Sequence, residues 1–142
     1  MMTQAQIQLV QSSFAKVAPI ADVAAEIFYA RLFELDPDLR KLFRGDMKKQ
    51  GAMLMSMLST AVRGLSDSNA LIQVLMALGR RHTQYGVRDK DYATVGGALV
   101  WTLEQGLGKD FTPELRDAWV AAYQMIAGVM QQGGRALALR AA

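Results

Sequence analysis

From Ile7 to Val129 the apolar residues recur at three- and four-residue intervals, and no stretch alternates with period two over a useful length. Side chains three and four apart share one face of a helix, whereas strand residues share a face at every second position. A chain with only the first period buries its apolar surface by packing helix on helix. The fold class is therefore all-α, with six to seven helices and no internal repeat.

Start and stop signals place those helices. Thr3 and Gln6 have the spacing of a capping box, followed on one face by Ile7, Val10, Phe14 and Val17. That helix stops near Ala18-Pro19, and a second runs from about Ile20 to Leu35. Ile27, Phe28, Tyr29, Leu32 and Phe33 cover more than half of its circumference, so it is expected to have neighbours on two sides. Asp36-Pro37 is a cap with proline at the first helical position, opening a short helix that ends in Leu42-Phe43. Arg44-Gly45-Asp46 is a corner. The next stripe is Gln50, Met53, Leu54, Met57, Leu58, Ala61 and Leu65, and its first member is polar. Ser66-Asp67-Ser68 caps a helix that carries Leu71, Leu75, Leu78 and His82 on one face. After a bend through Gly86, Asp89 opens a helix with Tyr92, Val95, Leu99, Leu103 and Leu107 inward, which Gly108 ends. Thr112-Pro113-Glu114 supplies an N-cap, a proline and an early acid for the last helix, with Leu115, Ala118, Trp119, Ala122, Ile126 and Val129 buried. Gly133-Gly134 is expected to break it, leaving Arg135 to Ala142 as a frayed tail or an extension.

Length and composition bound what such a bundle can do. At 142 residues the chain suits one domain, residues 1–142, with a real core. It has no cysteine, which excludes disulfides, thiolate metal sites and cysteine nucleophiles. A single histidine excludes multi-histidine metal sites. No apolar run reaches membrane-spanning length, and the N-terminus lacks the basic head and apolar run of a secretory signal, so the cytoplasm is the expected compartment. The net charge of +3 is spread along the sequence, with Lys48-Lys49 and Arg80-Arg81 as isolated pairs. Nucleic-acid binding needs a clustered stripe, so none is expected.

Three polar residues interrupt apolar faces on three different helices: Tyr29, Gln50 and His82. Each has an ordinary structural explanation. Tyr29 can bury its ring and reach a carbonyl, Gln50 can cap its own helix, and His82 can donate to the carbonyl of Leu78 one turn back. Together they describe a pocket with a metal ligand on one wall and two hydrogen-bond donors on another.

The sequence resembles the bacterial single-domain globins of the flavohaemoglobin-like branch, to which Vitreoscilla haemoglobin belongs, over nearly its whole length. The matching pieces are Phe28-Tyr29-Ala30-Arg31-Leu32-Phe33, Pro37 through Leu42-Phe43, and Gln50 with Leu54. They continue through Gly79-Arg80-Arg81-His82-Thr83-Gln84-Tyr85-Gly86-Val87, Tyr92 with Val95-Gly96, and Phe111-Thr112-Pro113 leading to Ala118-Trp119 and Tyr123. The resemblance implies a three-over-three globin fold around haem b. It makes His82 the proximal iron ligand and packs Phe43 on the porphyrin. It puts Tyr29, Gln50 and the bulky Leu54 on the distal side, and adds Val87 and Tyr92 to the haem contacts, with Arg81 at the haem edge near a propionate. A single protein ligand leaves the sixth iron position open to O2, NO or CO. A hydrogen bond to a charged acceptor contributes about 1.5–3 kcal/mol, so each distal donor slows O2 loss by roughly ten- to a hundredfold.

One departure accompanies the resemblance. The family usually carries a glutamate on the last helix that joins the proximal histidine and tyrosine in a triad, and that place falls at Gly134. Without the carboxylate, the electron push to iron and peroxidase-like chemistry are expected to weaken. The functions to weigh are reversible O2 binding, NO dioxygenation with electrons from a separate reductant, gas sensing through a partner, and a haem-free helical interaction module.

Overall fold

The computed structural model describes residues 2–141, with side chains through residue 135. Six α-helices follow one another: α1 (Gln4–Val17), α2 (Ala21–Leu35), α3 (Met47–Gly64), α4 (Ser68–Gln84), α5 (Asp89–Leu107) and α6 (Pro113–Ala141). Short 3-10 turns at Ala18–Ile20, Pro37–Leu42 and Gly108–Asp110 join some of them, and no strand occurs among the described residues. Two layers of three helices cross. One holds α1, α3 and α4, the other α2, α5 and α6, with α4 on α6 the most extensive crossing. This is the three-over-three globin fold.

Local chemistry accounts for the helix ends. Thr3 Oγ1 accepts the Gln6 N–H while Gln6 Oε1 accepts the Thr3 N–H, so two otherwise unpaired donors are satisfied. Asp36, Asp46 and Asp67 each accept a backbone N–H at the start of the segment that follows. Thr112 Oγ1 accepts from Leu115 N–H, with Pro113 first in the helix. At the end of α4, Val87 N–H reaches the His82 carbonyl and Gly86 N–H the Thr83 carbonyl, a Schellman turn. The residue between the helix and Val87 must be left-handed, and Gly86 has φ +99°.

The core runs between the layers. Trp119 is its largest fully buried side chain, and its indole N–H donates to Ser13 Oγ, itself buried, at 2.9 Å. α2 is flanked by both α3 and α5, which is why its apolar residues wrap most of its circumference.

One expected element boundary is overturned. Gly133 and Gly134 do not break the last helix; α6 continues through them, and both are buried. A β-carbon on Gly133 would overlap the Met76 carbonyl and lie 2.9 Å from its carbon. One on Gly79 would overlap the Met130 carbonyl and lie 2.7 Å from Met130 Cα. The glycines let the backbones of α4 and α6 touch, and that packing offsets the roughly 1 kcal/mol that a glycine costs inside a helix.

Candidate haem site

His82 occupies the last turn of α4. Asp67 starts that helix, and buried Leu71 and Leu75 seat it on the core. The Leu78 carbonyl oxygen lies 2.9 Å from His82 Nδ1. A carbonyl can only accept, so Nδ1 carries the proton and donates, leaving Nε2 as the unprotonated nitrogen. Among the described residues Nε2 has no hydrogen-bond partner. Burial lowers the imidazole's affinity for a second proton; the bond to Leu78 opposes that, and the Arg81 charge adds to it. The result is a neutral, oriented imidazole whose unprotonated nitrogen is available to a metal.

A second group of residues gathers around Tyr29, which α2 buries. Its ring stands edge-on to Phe28 at 5.0 Å and to Phe43 at 5.2 Å, and stacks with Phe33 at 5.9 Å. Phe43 follows the Pro37–Leu42 turn in extended backbone, which swings its ring back onto Phe33 at 5.6 Å. Burial raises the pKa of the Tyr29 phenol, and the neighbouring Gln50 side chain pulls the other way. The two polar groups therefore stand side by side on this wall, each able to donate a hydrogen bond.

What brings Gln50 to Tyr29 is the next residue. A β-carbon on Gly51 would lie 2.9 Å from that of Ala25, so α2 and α3 cross there at close range. Leu54 is half-buried against the core one turn beyond Gln50. Val87 is half-buried just after the Schellman turn, and Arg81 is exposed beside His82. Leu42 Cδ2 would lie 3.5 Å from a β-carbon on Gly86, so the end of the Pro37–Leu42 turn packs on the end of α4. No hydrogen bond or ring contact among the described residues joins His82 to the Tyr29 group: these are two walls.

Tyr92 is buried on α5, and its hydroxyl has no partner among the described residues. Burial and the neighbouring Asp89 charge push its pKa up. Its backbone carbonyl is held by the Tyr123 hydroxyl at 2.6 Å. A β-carbon on Gly134 would overlap the Thr83 hydroxyl and lie 3.7 Å from the Gly79 carbonyl oxygen. A glutamate there would have to move Thr83 first.

One site-bordering residue escaped the sequence reading. Asp91 is 2% exposed, accepts the Arg88 N–H at 2.9 Å and pairs with Arg88 Nε at 3.5 Å, tying down the start of α5 beside Val87. Its signal was available: an acid three residues after a helix cap.

Comparison with known proteins settles the family. The chain matches the Globin family over residues 26–130. It is 32% identical over 121 residues to neuroglobin of Tetraodon nigroviridis, and 33% over 121 residues to neuroglobin of Danio rerio; each alignment covers 75% of this chain and 76% of the relative. The chain belongs to the globin family. Among solved structures it superimposes on an engineered carbene transferase, described as a nitric oxide dioxygenase of Rhodothermus marinus, with TM-score 0.88, 25% identity and full coverage of both chains. A hexacoordinated haem protein of an anhydrobiotic tardigrade shares the fold at TM-score 0.86 and 16% identity, covering 94% of this chain and 96% of that one.

As a globin, this protein is a haem protein that binds small gas ligands, and its cofactor is haem b. The donor set fits that group. One neutral imidazole with a free Nε2, aromatic and aliphatic side chains, and a buried phenol beside an amide fit an iron porphyrin and a small polar ligand. No helix among the described residues is long and apolar enough to cross a membrane.

Proposed function

We propose that this globin belongs to the flavohaemoglobin-like branch, and that it binds O2 at a five-coordinate haem and uses it to oxidise NO to nitrate with electrons from a separate reductase. The observation that carries this reading is the pairing of two features: a neutral imidazole oriented by the Leu78 carbonyl, and a buried phenol with the Gln50 side chain beside it. The similarity to the Rhodothermus marinus globin supports it.

In this reading His82 Nε2 would hold the iron, with Leu78 fixing the ring's orientation. Phe43, Leu54, Val87 and Tyr92 would line the porphyrin site, and Arg81 would be the residue to meet a propionate. When bound, the haem supplies an open iron position for O2, NO or CO and a one-electron redox change. Tyr29 donates its proton toward the small ligand and Gln50 holds the phenol oriented, so a ligand that gains negative charge is retained over a neutral one. The apolar walls exclude water, which preserves those bonds. Oxidation of NO to nitrate by bound O2 would consume one electron from the haem-loaded protein per turnover, which the reductase would have to return.

The test is anaerobic reduction of the haem-loaded protein, oxygenation, and addition of NO with nitrate measured by ion chromatography. About one nitrate per haem is expected in a single turnover. Oxygenated protein that leaves NO to autoxidise in solution, giving nitrite at the rate of buffer alone, would leave only reversible gas binding.

A further inference from the structure

Charges that look scattered along the sequence are gathered by the fold. Nine of the sixteen lysines and arginines lie in two segments, residues 36–49 and 80–91, which flank Phe43, Gln50 and His82. Arg40, Lys41, Arg44, Lys48 and Lys49 are exposed in the first, as are Arg81, Arg88 and Lys90 in the second. The remaining residues carry seven bases against eight acids, so the excess positive charge belongs to these segments. Their own five acids are largely committed. Asp36 and Asp46 cap backbone N–H groups, Asp38 lies 3.8 Å from Lys41, and Asp91 is buried against Arg88. The segments also meet in space, because Lys41 and Arg88 line one cleft of about 390 Å³ with Leu42 and Gly86, where Asp38 and Asp91 also stand.

Apolar side chains stand out within this basic ground. Tyr85 and Met53, 65% and 61% exposed, are the most exposed large hydrophobic residues of the core-forming helices and their ends. Tyr85 follows His82, its ring 6.3 Å from the imidazole, and Met53 lies one turn beyond Gln50. Exposed apolar residues among charges of predominantly one sign mark a surface for brief encounters with a partner of opposite charge, and here eight exposed bases outnumber the exposed acids Asp38, Asp46 and Asp89. Two haem propionates can occupy only a minority of the nine cations.

We propose that this face, from the start of α3 across to the end of α4 and Arg88, docks an acidic one-electron donor protein. The role rests on the haem reading above and names the partner it needs. The step is an electron transfer: the donor loses one electron, ferric iron becomes ferrous, and no bond is made or broken. Docking beside His82 and Gln50 shortens the path to the haem edge, and the charge ring raises the encounter rate.

The experiment is stopped-flow reduction of the haem-loaded, full-length ferric protein under CO, with photoreduced [2Fe–2S] ferredoxin as the acidic donor and dithionite as the small one. The variant Arg44→Glu/Lys48→Glu/Lys49→Glu is compared with Arg63→Glu/Lys109→Glu/Arg116→Glu, which changes net charge equally elsewhere. At about 10 mM ionic strength the first variant should be reduced by ferredoxin roughly tenfold more slowly than wild type, and the second within about twofold of it. About 0.5 M salt should erase the difference, and dithionite should reduce all three alike. Equal slowing of both variants, or of neither, overturns the docking face. A first variant that no longer retains haem assigns those cations to the propionates and also overturns it. If dithionite yields no ferrous–CO spectrum in wild type, the haem reading itself has failed.

Discussion

The two walls of the site are built by opposite means. Around Tyr29 the wall consists of large side chains: four aromatic rings in mutual contact, with Gln50 on the phenol. Behind His82 it consists of missing side chains, because Gly79 and Gly133 let α4 and α6 meet backbone to backbone. Rings can tilt and re-pack, so the first wall can accept a lost hydroxyl. Carbonyls in contact cannot yield without moving a helix, so the second wall fixes the imidazole's place and tolerates little. In the proposed reading, ligand chemistry would be tuned on the adaptable wall and the iron's anchor would stand on the rigid one.

That contrast can be broken most severely at His82. His82→Ala should purify largely free of haem, because the chain offers no other histidine or cysteine and a methionine thioether alone is a weak anchor. The ratio of haem absorbance to protein absorbance checks this; full haem with an unchanged ferrous spectrum would remove His82 from its role. Next comes Gly79→Ala, whose added methyl has only the Met130 backbone to displace. Urea unfolding should show a loss of about 2–3 kcal/mol. A midpoint equal to wild type would mean that α4 and α6 are not in backbone contact.

On the adaptable wall the effects should be functional and smaller in free energy. Tyr29→Phe keeps the ring cluster, so stability should change little, while the O2 off-rate rises about tenfold or more and CO release changes much less. Gln50→Leu should act in the same direction, and the double variant should be less than additive because the two side chains stand at the same place. Displacement of O2 by CO measures all three; an O2 off-rate unaffected by Tyr29→Phe would reduce the tyrosine to core packing. Gly51→Ala tests the crossing that joins the two residues. Its methyl would meet another methyl, on Ala25, at 2.9 Å, and should cost about 1 kcal/mol, less than at Gly79. A larger loss than at Gly79 would reverse the comparison.

The smallest effect has the opposite sign. Gly128 lies in α6 with nothing within 4 Å of the place a β-carbon would take, so Gly128→Ala should stabilise by about 0.5–1 kcal/mol. Destabilisation there would show that α6 glycines serve more than the contact with α4.

The sequence by itself determined the helices, because what makes a helix is local. Apolar periods, the Thr3–Gln6 box, the caps at Asp36 and Thr112, and the left-handed glycines Gly86 and Gly108 act over three or four residues, and the structure shows each in place. The Leu78 bond to His82 was legible for the same reason, being one turn long. The tertiary structure decided the rest. Gly133-Gly134 reads as a break because a glycine's local signal is chain freedom; its use as a contact depends on Met76, far away in sequence. The same holds for Gly134, whose nearest neighbour is Thr83, so that counting along α6 could not show what its side-chain direction meets. The cations around residues 40–49 and 80–90 look dispersed until Leu42 packs on Gly86 and makes them neighbours. Backbone propensity is read within a turn, whereas close approach and summed charge depend on distances that only the packed chain defines.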